Sequence, residues 1–250
     1  MIDRAHHGDV AMLRMAHGKA NALDLELSTA LTSELEAYRQ SAAKALVLIG
    51  TGKMFSAGVD LVRVSHEGAP YLREFLPAVG RTFETLFSLH KPVVAAVNGH
   101  AIAGGCIMVC ASDYRVMARQ PGRIGIPELL VGVPFPVVAL EIMRFAAGTR
   151  TQALVNLGTT FAADEALAHG LVDAVVEAEQ LQEDALSAAR SLAAIPAAAF
   201  ALTKRQLRDP VLERMHVGAA TDAAVLEAWT SPEVLGAIRD YVARKLGVRS

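Results

Sequence analysis

Lys91-Pro92-Val93-Val94-Ala95-Ala96-Val97-Asn98-Gly99-His100-Ala101-Ile102-Ala103-Gly104-Gly105-Cys106 passes from a β-branched run into a turn of small residues and then toward a helix. A second stretch repeats that order: Lys44 to Gly50 is strand-like and runs into Thr51-Gly52-Lys53-Met54-Phe55-Ser56-Ala57-Gly58-Val59-Asp60-Leu61. Working outward, Asp9 to Met15 and Leu171 to Val176 also read as strands, while Asp24 to Gln40 and Tyr71 to Leu89 read as amphipathic helices. In the second helix Leu72, Leu76, Val79, Phe83 and Leu86 draw one apolar stripe, which packs and does no chemistry. Beyond residue 178 the pattern becomes helical, over Ala178 to Ala194, Ala197 to Leu207 and Val225 to Leu246. The fold class is therefore α/β, with a core over residues 1–177 and a helical region over 178–250.

A chain of 250 residues buries roughly 70–75% of its unfolded surface and folds without staples. It is 52% hydrophobic and 20% charged, with 24 basic against 26 acidic residues, which excludes disorder and leaves no basic footprint for nucleic acid. Two cysteines are too few for a disulfide scaffold, and the apolar runs are interrupted before they reach membrane-spanning length. With no apolar signal core after Met1 and no peroxisomal tripeptide at Val248-Arg249-Ser250, the expectation is a soluble protein of a reducing, cytoplasmic compartment. A small-molecule partner and self-association fit this balance better than nucleic acid or membrane.

Several chemical motifs fail on inspection. Gly50-Thr51-Gly52-Lys53 is followed by Met54 where a phosphate loop needs Ser or Thr, and Ser56 lacks the Gly-x-Ser-x-Gly frame of a nucleophile. Cys106 and Cys110 have no His or acid at ligand spacing, so they read as buried thiols and no metal site is expected. The eight histidines are scattered singly or at chain ends and read as surface, capping or core residues.

Three features remain. The turns at Ala57 and Gly104 carry side chains too small to hide the main chain, and two amides pointing into one cleft would make an oxyanion hole. Either turn alone is also an ordinary tight connection of an α/β sheet. Glu128 is the only charged residue from Ile124 to Leu140. It is either the acid of a first helical turn or a carboxylate held in an apolar site, where desolvation makes it a stronger base.

Asn21-Ala22-Leu23, Phe55-Ser56-Ala57-Gly58-Val59-Asp60-Leu61, Lys91 to Gly99 with Ala103-Gly104-Gly105-Cys106, Pro127-Glu128 and Ala168-His169-Gly170-Leu171-Val172-Asp173 stand in one order and spacing. Together they resemble the crotonase (enoyl-CoA hydratase/isomerase) superfamily over nearly the whole chain. The resemblance implies a spiral of ββα turns with a helical C-terminal region that associates into trimers or dimers of trimers. It implies an acyl-CoA substrate, no cofactor beyond the CoA thioester itself, and a thioester oxygen bound by the amides of Ala57 and Gly104. Lys19, Ala20, Ala22, Leu23, Ser56, Gly58, Val59, Asp60, Leu61 and Gly105 would bind the CoA portion.

Typical hydratases carry a glutamate directly after the Gly-Gly-Cys turn and a second at the position of Glu128. Here Ile107 replaces the first. Hydration needs a positioned water, and the stiff apolar Gly132-Val133-Pro134-Phe135-Pro136 would exclude it. The pattern is similar to the Δ3,Δ2-enoyl-CoA isomerases, which work with one glutamate, so Glu128 is expected to shift a double bond from the 3- to the 2-position. A hydratase with a second acid elsewhere is the alternative inside the family. Glu141 and Asp60 are its candidates, although a helix-surface role and a turn-capping role suit them better. A noncatalytic acyl-CoA-binding homologue is the alternative from another class.

Overall fold

The computed structural model describes residues 1–119 and 122–246. Strands β1 (Ile2–His7) and β2 (Val10–Met15) form an antiparallel hairpin, and β2 then pairs in parallel with β3 (Ala45–Ile49). β5 (Val93–Val97), β7 (Tyr114–Ala118) and β10 (Ala174–Val176) extend the sheet in the order β1-β2-β3-β5-β7-β10. A parallel sheet covered on both faces needs strands that are apolar at every position. In β3, Leu46 and Leu48 enter the main core while Ala45, Val47 and Ile49 enter a second one on the opposite face.

Helix α1 (Leu25–Gln40), capped by Asp24 accepting from the Leu27 amide at 2.7 Å, packs against α2 (Leu61–Phe87) in the main core. The opposite face is closed by α8 (Leu181–Ala193), which contributes Leu181, Ala185, Leu186 and Ala189. The first helix beyond residue 178 is thus part of the layered core. The main core continues into the later helices as well, through Val211, Met215, Val225, Trp229, Ile238 and Val242.

Each central turn of the chain gives one long strand to this sheet, one short strand to a second sheet, and then a helix. The sets are β3, β4 (Met54–Ser56) and α2; β5, β6 (His100–Ile102) and α3 (Gly104–Ala111); β7, β8 (Ile124–Gly125) and α4 (Glu128–Val131). The short strands pair in parallel, β4 with β6 and β6 with β8, and β9 (Thr160–Phe161) closes the sheet antiparallel to β8. This is the ββα spiral that the motif order implies.

Some boundaries differ from expectation. Helix α2 begins at Leu61 rather than Tyr71, because Asp60 caps it and Gly68 (φ 62°, ψ −145°) breaks it before the apolar stripe starts. The strand expected at Leu171 begins at Ala174; Leu171 and Val172 are buried outside the ladder. After α5 (Val137–Ala147), α6 (Thr151–Leu157) and α7 (Ala163–Ala168) come α9 (Ala197–Thr230) and α10 (Pro232–Leu246). The first of these two runs through Pro210, well past Leu207.

Ionic contacts hold α9 to the core. Lys204 Nζ donates to Asp113 Oδ2 at 2.6 Å, and Arg208 Nη2 donates to Asp113 Oδ1 at 2.8 Å; both cations are buried. Glu141 is not on a helix surface. It is 3% exposed and is held by Arg144 and, at 2.7 Å, by Arg214 of α9, so a structural ion pair replaces the expected role. Asp113→Ala leaves the buried Arg208 guanidinium without its anion and removes the group that favours the charged form of Lys204, and is expected to cost about 3–5 kcal/mol, read by urea denaturation. An unchanged midpoint would show that the cluster adds nothing.

Candidate active site

The parallel short strands deliver their C-terminal ends side by side, and a helix starts after each one. Sites in α/β proteins gather at such strand ends. β4 leads through Ala57–Asp60 into α2, β6 through Ala103 into α3, and β8 through Pro127 into α4, which opens on Glu128. A cavity of about 450 Å³ is lined from these connections and from the loop over residues 17–22.

That loop is strapped to β4 by polar contacts. Asn21, in the left-handed region at φ 46°, donates from Nδ2 to the carbonyls of Met54 and Phe55, both at 3.2 Å, and accepts from the His17 amide at 2.8 Å. Ser56 Oγ donates to the Asn21 carbonyl at 2.8 Å and accepts from the Gly58 amide at 3.1 Å. His17 Nε2 meets Asp24 Oδ2 at 2.6 Å. Asn98 fastens the neighbouring turn, accepting from the Gly50 amide at 2.8 Å and donating to the Gly52 carbonyl at 3.0 Å.

The strap changes the assignment of one oxyanion donor. The Ala57 amide donates to the Ala20 carbonyl at 3.0 Å, so it is not free for a ligand. Two residues on, Val59 pairs with Leu23: the Leu23 amide donates to the Gly58 carbonyl at 2.7 Å and the Asp60 amide to the Leu23 carbonyl at 3.0 Å. In that pairing the Val59 amide points away from Leu23, and it has no acceptor among the described residues. The Gly104 amide opens α3 and likewise has none. Val59 therefore takes the place expected of Ala57, whose side chain only lines the wall.

Close backbone approach makes the pair possible. Gly58 (φ 78°) has no room for a side chain: a Cβ there would lie 2.6 Å from the Ile102 carbonyl oxygen and 3.1 Å from the Gly104 nitrogen. Ala103 holds φ 52° ahead of α3, a conformation that costs an alanine of order 1–3 kcal/mol.

Of the expected CoA-contacting residues, Lys19, Ala20, Ala22, Val59, Asp60 and Leu61 line the cavity. Leu23, Ser56, Gly58 and Gly105 do not; they are buried beneath it. Leu23 is a core side chain, Ser56 belongs to the strap, and Gly105 rests on the Ser56 carbonyl, where a Cβ would come within 2.5 Å. Asp60 caps α2, accepting from the Arg63 amide at 2.9 Å. Sequence reasoning missed His17 at the mouth, and it missed Val131, Val133, Trp229 and Tyr241 as walls. Trp229 and Tyr241 come from α9 and α10, and no local motif marks them.

Glu128 projects into this cavity, and its Oε2 is buried with no hydrogen-bond partner among the described residues. Burial pushes its pKa up to about 8. Ile107, where a second acid would stand, is buried in the core. The cavity thus has the Val59 residue in its wall with a free amide, the free Gly104 amide at the turn that follows the lining residue Ala103, and, besides the helix-capping Asp60, a buried carboxyl group whose proton affinity is raised.

The family profile described as enoyl-CoA hydratase/isomerase matches residues 5–242, and the chain belongs to that family. It is 32% identical over 210 residues to "Enoyl-CoA delta isomerase 1, mitochondrial" of Homo sapiens, which covers 82% of this chain and 70% of that protein. It is also 32% identical over 199 residues to "Probable enoyl-CoA hydratase" of Rhizobium meliloti (strain 1021), covering 78% of this chain and 76% of that one. The solved structure of human mitochondrial delta3-delta2-enoyl-CoA isomerase superposes with a TM-score of 0.94 at 28% identity, over 100% of this chain and 99% of that one. The fold is accordingly of the crotonase type.

A glutamate pKa raised from 4.5 to about 8 favours the folded state while the group is protonated. That advantage is lost as pH climbs through this interval, by at most roughly 5 kcal/mol. Glu128→Gln, which cannot ionise, is expected to melt with the wild type below the lower value and above it beyond pH 8, as read by thermal denaturation. Parallel curves would contradict the buried charge.

Proposed function

We propose that the protein is an acyl-CoA isomerase that moves a double bond from the 3- to the 2-position of an enoyl-CoA. The observation that carries this reading is the buried Glu128 carboxyl group, its Oε2 unpartnered among the described residues, in a cavity where Ile107 supplies no second acid and the Asp60 carboxylate is occupied in capping α2.

In its ionised form Glu128 takes a proton from C2 of a 3-enoyl-CoA. The electron pair of the broken C–H bond delocalises over C1 to C4 as a dienolate, with charge on the thioester oxygen. The amides of Val59 and Gly104 donate to that oxygen, and losing one such donor costs about 2.7–4 kcal/mol of barrier. Glu128 then returns the proton at C4, leaving the double bond between C2 and C3. One base serves both carbons because they flank a single short allylic unit. Apolar Val131 and Val133 exclude water that would otherwise add to the product.

Lys19, Ala20, Ala22, Asp60 and Leu61 would receive the CoA portion at the open side of the cavity, whose remote binding orients the reacting carbons. Association into trimers belongs to the same reading. It accounts for the exposed Leu202, Leu207 and Val217 on α9, and sedimentation equilibrium tests it.

Incubation with 3-enoyl-CoA is expected to give 2-enoyl-CoA of unchanged mass. A product heavier by one water would assign a hydratase instead. Glu128→Gln is expected to abolish the shift while acyl-CoA still binds, and full activity in that variant would overturn the role given to Glu128. For the wild type, kcat/KM is expected to rise with pH toward a plateau above about 8, as the free enzyme's Glu128 ionises.

A further inference from the structure

We infer that Trp229 is the closed end of the acyl cavity and limits the enzyme to short and medium acyl chains. This rests on the acyl-CoA reading above, and it concerns a residue that takes no part in the proton transfer.

Exposure falls along the cavity. Gly18 and Lys19 at one side are exposed, whereas Val131, Val133 and Trp229 are buried, the last at 3%. The reacting carbons belong beside Glu128, which lines the same cavity. Val131 stands three residues beyond Glu128 in α4, so it lies on the same helical face one turn along. A chain leaving C4 away from the mouth therefore meets Val131, then Val133 and the indole.

Trp229 is well anchored as a stop. Its Nε1 donates to the Pro134 carbonyl at 2.8 Å, which ties the end of α9 to the rigid Val133–Pro136 segment after α4. With its polar atom satisfied, the indole presents only an apolar surface. Helix α10 backs the same loop: a Cβ on Gly132 would touch the Ala237 Cβ at 3.4 Å.

The volume sets the scale. The cavity, about 450 Å³, has to hold the thioester, C2 to C4 and the end of the pantetheine arm as well as the acyl tail, so the tail's share of the space is limited.

Trp229 is the single tryptophan of the chain, so its emission reports contact directly. Titration of the wild type with saturated acyl-CoAs tests the inference without requiring turnover. Acetyl-CoA is expected to leave the emission unchanged, while octanoyl-CoA shifts or quenches it. By calorimetry, affinity should rise about fourfold per added methylene as far as octanoyl- or decanoyl-CoA, then level off or fall by palmitoyl-CoA. Trp229→Leu should move that break to longer chains. Val131→Phe, which fills the cavity and leaves the Trp229 anchor intact, should move it to shorter ones and serves if the first variant fails to fold.

An emission blind to chain length, or affinity rising unbroken to palmitoyl-CoA, would overturn the inference. A chain-length break without double-bond migration leaves it standing and defeats the isomerase reading. Migration with no break does the reverse, and failure of every acyl-CoA to bind overturns both.

Discussion

The parallel pairing of β4 with β6 and of β6 with β8 is the constraint on which the rest of the site depends. The short parallel strands end side by side, despite a register shift between Met54 and Ser56, and the chain turns into a helix soon after each. Two of those turns leave a main-chain amide with no acceptor among the described residues, and the third leaves a carboxyl group. The six-stranded sheet, apolar on both faces, supplies the rigid wall that keeps these turns from relaxing toward ordinary internal hydrogen bonds. Much of the remaining polar structure serves that arrangement. Asn21, Ser56 and Asn98 spend their side chains on backbone carbonyls and amides of the turns and place no group in the cavity.

The electrostatics follow from the same geometry. A carboxylate in an apolar cavity is costly, and Glu128 stands there with its Oε2 unpartnered among the described residues. Burial makes Glu128 reluctant to hold charge, which makes it a competent base when ionised and a competent acid once it has taken a proton. In the proposed reaction the transition state would present a delocalised anion to two fixed dipoles, so little reorganisation would be needed as charge develops. The near-neutral composition of the chain is consistent with this economy: the proposed chemistry uses main chain and one side chain, not a charged cluster.

Much of this was legible in the chain itself. The apolar runs at Lys44–Gly50 and Pro92–Val97 mark central strands because a doubly covered parallel sheet tolerates no polar alternation. Glu128 stands out because nothing near it in sequence is charged. What stayed hidden depends on contacts between distant segments. Ala57 and Val59 both sit in a small-residue turn, and only the pairing of residues 20–23 with that turn decides which amide is consumed. Leu23, Ser56, Gly58 and Gly105 carry the motif yet lie beneath the cavity, since the motif records packing as well as contact. Trp229 and Tyr241 reach the site only through the fold-back of α9 and α10.

The proposed chemistry depends on one buried carboxyl group, that of Glu128, whose proton affinity is raised. The infrared carboxyl stretch of Glu128, isolated as the difference between wild type and Glu128→Gln across a pH series, tests this directly. The account predicts a protonated band that persists through neutral pH and disappears with a midpoint near 8. A midpoint near the ordinary 4.5 would place Glu128 in water and contradict it.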